Sequence, residues 1–364
     1  MWRGDDEKAR SAPRKSLKHR EKDWHPRCVV RDRLEQTQLI ALPGPGFEEQ
    51  RGKLAELRRA VHTALVGQEA FLDRLLIGLL ARGHVLVEGV PGLAKTLAIR
   101  AVAAAIDASF SRIQFTPDLL PADLTGTLVF HPSTGEFTPR LGPLFANIVL
   151  ADEINRAPAK VQSALLEAMQ ERQVTLGDGT HRLPDPFFVL ATQNPIEQEG
   201  TYPLPEAQTD RFLLKCLVRY PSRDEELAIL DLPGPGMPAL PAAVVSPADL
   251  DAAARTVSEI YADRRIREYL VSLCAATRSP RDEGFPEAAG WIAYGASPRG
   301  SLSLLAAARG RAFLEGRAFV IPEDVKAVAP DVLRHRLVLT FEAEAEGIRP
   351  DDVIARLLVR VPVP

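Results

Sequence analysis

The chain has 364 residues, of which 46% are hydrophobic and 26% are charged, so it is long enough for one large α/β domain and a smaller one. Its net charge of −3 gives no overall basic field of the kind that general nucleic-acid binders use to hold phosphates. The three cysteines lie far apart, which argues against a disulfide framework or a zinc site and predicts reduced thiols in a cytosolic protein.

Residues 1–46 are dense in Arg, Lys, Asp and Glu and end in a Pro-Gly-Pro-Gly run. Because this segment has almost no apolar periodicity, it cannot bury enough surface to fold alone, and we predict a disordered leader. It lacks the apolar core of a secretory signal, and no run along the chain approaches the about 18 apolar residues of a membrane span. These features predict a cytoplasmic protein with no membrane association.

A phosphate-binding loop is predicted near residue 90. From Phe47 to Arg82 the apolar spacing predicts two helices, and the apolar run Val85–Val87 then predicts a buried strand. The next eight residues lead into an Ala- and Leu-rich helix, so that backbone amides and a helix start can hold an anion. The predicted binding residues are Gly89, Val90, Pro91, Gly92, Leu93, Ala94, Lys95 and Thr96. Lys95 can reach the terminal phosphates and Thr96 can ligate magnesium, although the strict pattern has glycine where this chain has Ala94.

Apolar strands and helices alternate after this loop, which predicts a parallel sheet covered by helices on both faces. The predicted strands are Val85–Val87, Ser111–Phe115, Ile148–Ala151, Phe187–Ala191 and Leu213–Val218. Turn residues at 132–135 and 177–179, each flanked by short strands, predict two β-hairpins inserted into this framework. Ligands bind such sheets at the carboxyl ends of the strands, where the phosphate-binding loop would lie.

The Pro- and Gly-rich run at 233–238 predicts a domain linker, because neither helix nor strand accepts it. We therefore predict a nucleotide-binding domain over residues 47–232 and a small, mostly helical domain over residues 233–364. The helical domain begins with Ser246 as an N-cap and contains helical stretches at 263–277, 299–316 and 323–334.

Two strand ends carry candidate catalytic residues. The strand before Asp152 and Glu153 is apolar, the pattern of a Walker B element in which Asp152 holds magnesium and Glu153 acts as general base on water. A helix cap is the plainer interpretation of this acid pair. Asn194 follows the next apolar strand, where it could hold a water beside the γ-phosphate, or could be only a turn former before proline.

Two arginines could supply positive charge to the phosphates. Arg211 could equally form a surface ion pair with Asp210, and Arg299 could be a solvated residue at a helix start. A cation at a helix start is placed against the helix dipole, which makes an anionic partner for Arg299 more plausible.

Six segments together resemble the MoxR family of AAA+ ATPases, within the clade that carries an insert in helix 2 and a second hairpin before sensor 1. They are GVPGLAKT from Gly89, RIQFTPDLLPADLTGT from Arg112, ADEINRAP from Ala151, LATQNP from Leu190, PEAQTDRF from Pro205 and GASPRG from Gly295. The resemblance implies an AAA+ P-loop sheet flanked by helices, with inserted β-hairpins and a small helical lid. It also removes the doubt about Ala94, since the family's loop is similar there.

Roles for individual residues follow from the same resemblance. It implies that Asn194 is sensor 1, that Arg299 is sensor 2 from the lid, and that Arg211 is an arginine finger acting on a neighbouring subunit's nucleotide. Arg156 or Arg219 could supply the finger instead. Gly67 and Gln68 match the segment near adenine.

The resemblance further implies ATP and Mg²⁺ as cofactors, a homo-oligomeric ring that is commonly a hexamer, and chaperone-like remodelling of a protein client with a von Willebrand factor A (VWA) domain partner. A DNA-stimulated motor is the first alternative, although the predicted hairpin tips are poor in Lys and Arg. A non-hydrolysing nucleotide switch is the second, although such a switch would not require Glu153.

Overall fold

The computed structural model describes residues 45–90, 92–194, 201–231 and 238–364. Most of the predicted leader, Pro91 and residues 233–237 of the predicted linker lie outside the described residues. The helices are α1 (Pro45–His62), α2 (Glu69–Leu80), α3 (Lys95–Ala105), α4 (Pro121–Thr125), α5 (Ala159–Glu171), α6 (Glu206–Thr209), α7 (Arg223–Leu230), α8 (Pro247–Glu259), α9 (Arg264–Arg278), α10 (Pro298–Leu314), α11 (Pro322–Leu333), α12 (Phe341–Ala345) and α13 (Pro350–Arg360). The strands are β1 (Val85–Glu88), β2 (Phe110–Gln114), β3 (Gly126–His131), β4 (Glu136–Leu141), β5 (Ile148–Asp152), β6 (Gln173–Leu176), β7 (Gly179–Arg182), β8 (Phe188–Gln193), β9 (Leu214–Leu217), β10 (Ile292–Tyr294) and β11 (Val338–Leu339).

A five-stranded parallel sheet in the order β2-β5-β8-β1-β9 forms the centre of the fold, as the alternation of strands and helices predicts. Successive side chains of its strands face opposite sides. Leu150 belongs to the core that α1, α2 and α3 cover, whereas its neighbour Val149 belongs to the core under α5. Both faces are therefore buried, and the strands are apolar along their length.

The core on one face of the sheet continues into the helical lid. Phe313 of α10 meets Phe47 of α1 edge to face, with 5.1 Å between ring centroids. Gly310 of α10 lies so close to α2 that an added Cβ would stand 3.3 Å from Ile77 Cγ2. The lid thus packs on the helices that precede the phosphate-binding loop. The predicted boundary between residues 232 and 233 stays a prediction.

The end of the chain is ordered helix, which its Val- and Pro-rich sequence does not reveal. Helix α13 buries Val353, Ile354 and Leu357, and the guanidinium of Arg356 lies 4.6 Å from the ring centroid of Trp291. The two-stranded sheet β10-β11 in the lid was also not predicted.

Both inserted hairpins are present, as predicted, and their strands are longer than the sequence indicates. Strands β3 and β4 pair over six residues each, and β6 and β7 over four. Gly177, at the turn of the second hairpin, has φ +59°, the left-handed conformation that glycine adopts at little cost. No helix among the described residues is long and apolar enough to cross a bilayer.

A buried histidine ties the sheet to α5. His84 Nδ1 accepts a hydrogen bond from the Val189 amide at 3.0 Å, and Nε2 lies 3.2 Å from the Met169 carbonyl. Both ring nitrogens are used by the neutral imidazole. Burial lowers the pKa of His84 to about 4. Burial also lowers the pKa of His335 well below its usual value, with Arg336 nearby adding to the effect.

We expect acid to destabilise the fold through these histidines. The pKa of His84 is lower in the folded chain than the about 6.5 of the unfolded chain, so the unfolded state binds the extra proton as pH falls through that range. By pH 5 this should cost roughly 2 kcal/mol of the free energy of unfolding for His84 alone. Equilibrium urea unfolding between pH 7 and 5 measures the loss. His84→Gln, which cannot titrate, should flatten the pH dependence, and an unchanged slope in this variant would contradict the assignment.

Candidate active site

Parallel pairing brings the polar ends of several strands to one edge of the sheet. The register sets Gln114 beside Asp152, and Glu88 beside Gln193. The phosphate-binding loop leaves the same edge from β1. This is the side of a parallel sheet at which ligands bind.

The loop has the backbone that a phosphate cradle needs. Gly92 has φ +87° and Ala94 has φ +54°, so both lie in the left-handed region just before α3 begins at Lys95. The Lys95 ammonium donates to the Gly89 carbonyl at 2.6 Å. Burial lowers the pKa of Lys95, while Asp152 and Glu153 partly oppose this. An anion in the cradle would favour the charged form of this lysine.

The acid pair is held by the adjacent strand β8. Asp152 Oδ1 accepts from the Thr192 hydroxyl at 2.5 Å, and the same hydroxyl accepts from the Glu153 amide at 2.9 Å. Glu153 itself has φ +56°, a conformation that costs a non-glycine residue of order 1–3 kcal/mol and that clusters at functional sites. Its N-cap position at the short 3₁₀ helix Ile154–Arg156 includes no side-chain cap, so the cap interpretation does not account for its carboxylate.

Strand β2 adds two residues that the sequence analysis did not single out. Arg112 donates to Asp152 Oδ2 from Nη2 at 2.7 Å and from Nε at 3.2 Å. Gln114 Nε2 donates to Glu153 Oε2 at 2.8 Å, while its own oxygen accepts from Arg112 at 2.9 Å. Two polar residues spaced by two on a predicted strand lie on one face, and that spacing was the available signal.

These side chains surround a cavity of about 470 Å³. Its walls include most of the predicted site, namely Gly92, Leu93, Ala94, Lys95, Thr96, Asp152, Glu153 and Asn194, together with Arg112 and Thr192. Gly89 and Val90 do not line it, although Gly89 contributes the carbonyl that binds Lys95. The structure thus brings the loop, the acid pair and the predicted sensor 1 asparagine to one cavity.

A second cavity, of about 460 Å³, lies on the β9 side of β1 and includes Gln68. Gly67 and Gln68 have φ of +65° and +56°, and the Gln68 amide donates to Glu225 Oε1 at 3.3 Å. An added Cβ on Gly67 would stand 2.3 Å from that same oxygen, so the Glu225 side chain would have to move, and the positive φ of Gly67 by itself favours glycine. Tyr220 also lines this cavity and is largely exposed.

The two remaining arginines are not at the phosphate cavity. Arg211 and Arg299 line a third, smaller cavity of about 230 Å³. Asp210 pairs with Arg336 and not with Arg211, so the proposed surface pair between Asp210 and Arg211 is absent. Among the described residues, neither Arg211 nor Arg299 has a carboxylate within ion-pair distance.

Of the other two candidate fingers, Arg156 contacts a residue of the phosphate cavity and Arg219 lines the cavity of Gln68. Arg156 Nε lies 3.2 Å from Glu153 Oε2, beside the acid pair. Arg219 lines the cavity of Gln68, and its carbonyl accepts from the Gln68 side chain at 3.3 Å.

Comparison with known proteins defines the class. Residues 84–214 match the ATPase family associated with various cellular activities (AAA), and residues 288–357 match the AAA lid domain. A crystal structure of a presumed ATPase from Cytophaga hutchinsonii superposes with a TM-score of 0.82 at 44% identity, covering 91% of this chain and 99% of that one. The fold is that of an AAA+ ATPase.

Curated relatives narrow the class to one family. Chaperone MoxR1 of Mycobacterium tuberculosis is 50% identical over 88% of this chain and 86% of its own length. Protein MoxR of Methylorubrum extorquens is 34% identical over 86% of this chain and 96% of its own length. The chain belongs to the MoxR family of AAA+ ATPases.

Ala94 provides a test of the loop's backbone. The left-handed conformation costs an alanine roughly 1–2 kcal/mol, of which glycine's extra chain entropy offsets part. Ala94→Gly should therefore raise the free energy of unfolding by up to roughly 1 kcal/mol. The matched control is Ala104→Gly inside α3, which should lower it by roughly 1 kcal/mol. Urea unfolding measures both variants, and a loss in both would refute the argument.

Proposed function

We propose that this protein is a magnesium-dependent ATPase that works as a homo-oligomeric ring, and that hydrolysis drives chaperone-like remodelling of a protein client. One observation carries the proposal: Lys95, Thr96, Asp152, Glu153 and Asn194 surround a single cavity at the carboxyl edge of the sheet. Phosphoryl transfer to water needs a cradle, a metal anchor and a group that deprotonates water, and this set contains each.

Each of these residues would have a separate chemical role. Lys95 would bind the terminal phosphate oxygens, and Glu153 would accept the proton of the attacking water. Asn194 would orient that water. Gln68, with Gly67 at the same turn, would lie against the adenine, since its cavity adjoins β1 on the side opposite the acid pair.

The oxygen donors at the cavity fit magnesium. Thr96 offers a hydroxyl and Asp152 a carboxylate, the hard ligands that this ion takes together with phosphate oxygens and water. No group of three or more His, Cys, Asp or Glu suited to a metal occurs in the described part of the chain. When bound, magnesium would neutralise charge on the phosphate oxygens.

We propose that Arg211 acts in trans as the arginine finger, with Arg299, the sensor 2 residue, on the same face. The cavity they share and the phosphate cavity have no lining residue in common among those described. Among the described residues, Arg211 and Arg299 have no carboxylate partner, and neither lines the cavity of the phosphate-binding loop. Their positive charge would therefore suit the nucleotide of a neighbouring subunit in a ring, which is commonly a hexamer in this family. Arg156 and Arg219 suit this role less, because both line or contact this chain's own nucleotide cavities.

The exposed surface of the first hairpin, β3-β4, supports the proposal that the client is a protein. Four apolar side chains on it are exposed, and Phe137, 64% exposed, lies 5.1 Å from Phe130 between ring centroids. The four are Leu128, Phe130, Phe137 and Leu141. Exposed apolar groups favour contact with polypeptide. A cytoplasmic location and a VWA-domain partner belong to the same proposal.

Turnover of purified protein tests the enzymatic proposal. We expect Lys95→Ala to abolish ATP hydrolysis, and Glu153→Gln to slow it by roughly 10²- to 10⁴-fold while ATP still binds. Arg211→Ala should lose roughly 10³-fold or more with ATP binding kept. Steady-state hydrolysis, equilibrium binding of ATP and native mass with ATP give the three readouts. Equal turnover in wild type, Lys95→Ala and Glu153→Gln would reject the proposal.

Gln114 should restrain the general base. Its amide hydrogen bond holds the Glu153 carboxylate toward β2, so this bond must break before the carboxylate can turn to the attacking water. Removing a bond worth about 1 kcal/mol should raise turnover roughly 5-fold in Gln114→Ala, with the KM for ATP unchanged. Thr180→Ala, on the exposed face of the second hairpin, serves as a control. A fall in turnover in Gln114→Ala would show that Gln114 assists Glu153.

A further inference from the structure

A buried arginine of the lid, Arg336, binds the segment around Arg211, beside further contacts of His335 with Phe212 and Thr209. The side chain of Arg336 is 2% exposed, and its Nε donates to Asp210 Oδ1 at 2.7 Å. Nη2 donates to the carbonyls of Phe212 at 2.7 Å and Asp210 at 3.2 Å, and Nη1 donates to the Leu213 carbonyl at 3.2 Å. Nη1 also binds the carbonyl of Val332 in α11. Arg336 therefore fixes the backbone on both sides of Arg211.

The same carboxylate reaches Arg299. Asp210 Oδ2 accepts from the Ser297 hydroxyl at 3.0 Å, and that hydroxyl accepts from the Arg299 amide at 3.2 Å. Ser297 is the N-cap of α10, so this bond also sets where the helix starts. The aliphatic part of the Arg336 side chain also lies against the first turn of α10, because its Cδ is 3.5 Å from the position that a Cβ on Gly300 would occupy.

The charges of Arg336 and Asp210 compensate each other. Burial lowers the pKa of Arg336, and the Asp210 carboxylate opposes that shift. Removing one partner of such a pair leaves an uncompensated buried charge. Among the residues that the structure describes, the Arg211 side chain donates one hydrogen bond, from Nη1 to the Leu166 carbonyl at 2.9 Å, which leaves the rest of its guanidinium available.

We propose that Asp210, Ser297 and Arg336 form a clamp that positions Arg211 and Arg299 as one unit. The proposal rests on the ATPase function above. None of the three clamp residues lines the phosphate cavity or the cavity of Gln68, whereas Asp210 and Arg336 line the cavity that Arg211 and Arg299 share. Asp210 adjoins Arg211 in the chain, and Ser297 fixes the turn that carries Arg299. A displacement of about 1 Å at a catalytic group can cost roughly 10²-fold in rate, so the clamp matters for turnover as well as for stability.

Kinetics of Asp210→Asn separates positioning from folding. The substitution keeps the shape and removes the charge. We expect kcat to fall roughly 10- to 100-fold while the affinity for ATP changes less than about 2-fold. The matched control is Asp324→Asn, which breaks a buried pair with Arg317 that lies wholly within the lid. That control should keep kcat within about 2-fold of wild type even where it lowers the melting temperature.

A second matched pair covers the case in which Asp210→Asn does not fold. Ser297 and Ser246 are both serine N-caps followed by proline, on α10 and α8, but only Ser297 binds Asp210. The two alanine variants should lose similar stability, about 1 kcal/mol each. Only Ser297→Ala should lose turnover, roughly 5-fold. Equal turnover in the two variants would overturn the clamp.

Rings that contain two different variants give a measurement that a purely structural role of the clamp would not change. Asp210→Asn keeps its own phosphate cavity, whereas Lys95→Ala keeps the clamp and both arginines. Mixed rings should regain turnover, because a Lys95→Ala subunit can present intact arginines to its neighbour's nucleotide. Mixtures of Lys95→Ala with Glu153→Gln, whose defects lie in the same cavity, should stay inactive.

Each failure has its own signature. Full turnover in Asp210→Asn, or no recovery on mixing when Arg211→Ala does recover with Lys95→Ala, would overturn the clamp alone. A wild type without turnover would overturn the proposed function and with it the clamp. Full turnover in Arg211→Ala would overturn the arginine-finger role on which the clamp rests.

Discussion

Burial of both faces of the five-stranded parallel sheet is the constraint on which the rest of the structure depends. Because α1, α2 and α3 cover one face and α5 the other, the central strands carry apolar side chains throughout. Polar groups can stand only where strands end. The carboxyl edge therefore collects Asp152, Glu153, Thr192 and Asn194, and the loop after β1 opens onto the same place. The site is a consequence of how this sheet is buried.

At that edge, the carboxylates of Asp152 and Glu153 bind different partners. Thr192 and Arg112 bind Asp152, whereas Gln114 and Arg156 bind Glu153. Each acid has a different set of donors, which suits one to a metal and the other to proton transfer. Lys95, whose pKa burial lowers, faces both.

The lid contributes in two ways that arise from packing. Its helices extend the core over α1 and α2, and its buried Arg336 ties the segment at Asp210 to α10. The first contact supports the helices that precede the phosphate-binding loop. The second joins two arginines that are 88 positions apart in the sequence and face a common cavity. In a ring, the lid would stabilise its own subunit by packing on α1 and α2. It would also present the positive charge of Arg299 to the neighbouring subunit.

The local pattern of the sequence was by itself enough to predict much of the fold and the phosphate-binding loop. The alternation of apolar strands and helices predicted the parallel sheet, Gly-Asp-Gly predicted a hairpin turn, and the loop and acid pair predicted one nucleotide cavity. These features are periodicities and motifs that neighbouring residues impose through backbone geometry. Tertiary structure alone decided that Asp210 pairs with Arg336 and not with Arg211, that Arg112 and Gln114 hold the acids, and that Arg299 lies away from its own loop. Those outcomes depend on contacts between distant segments, and a sequence does not encode such distances in any local spacing.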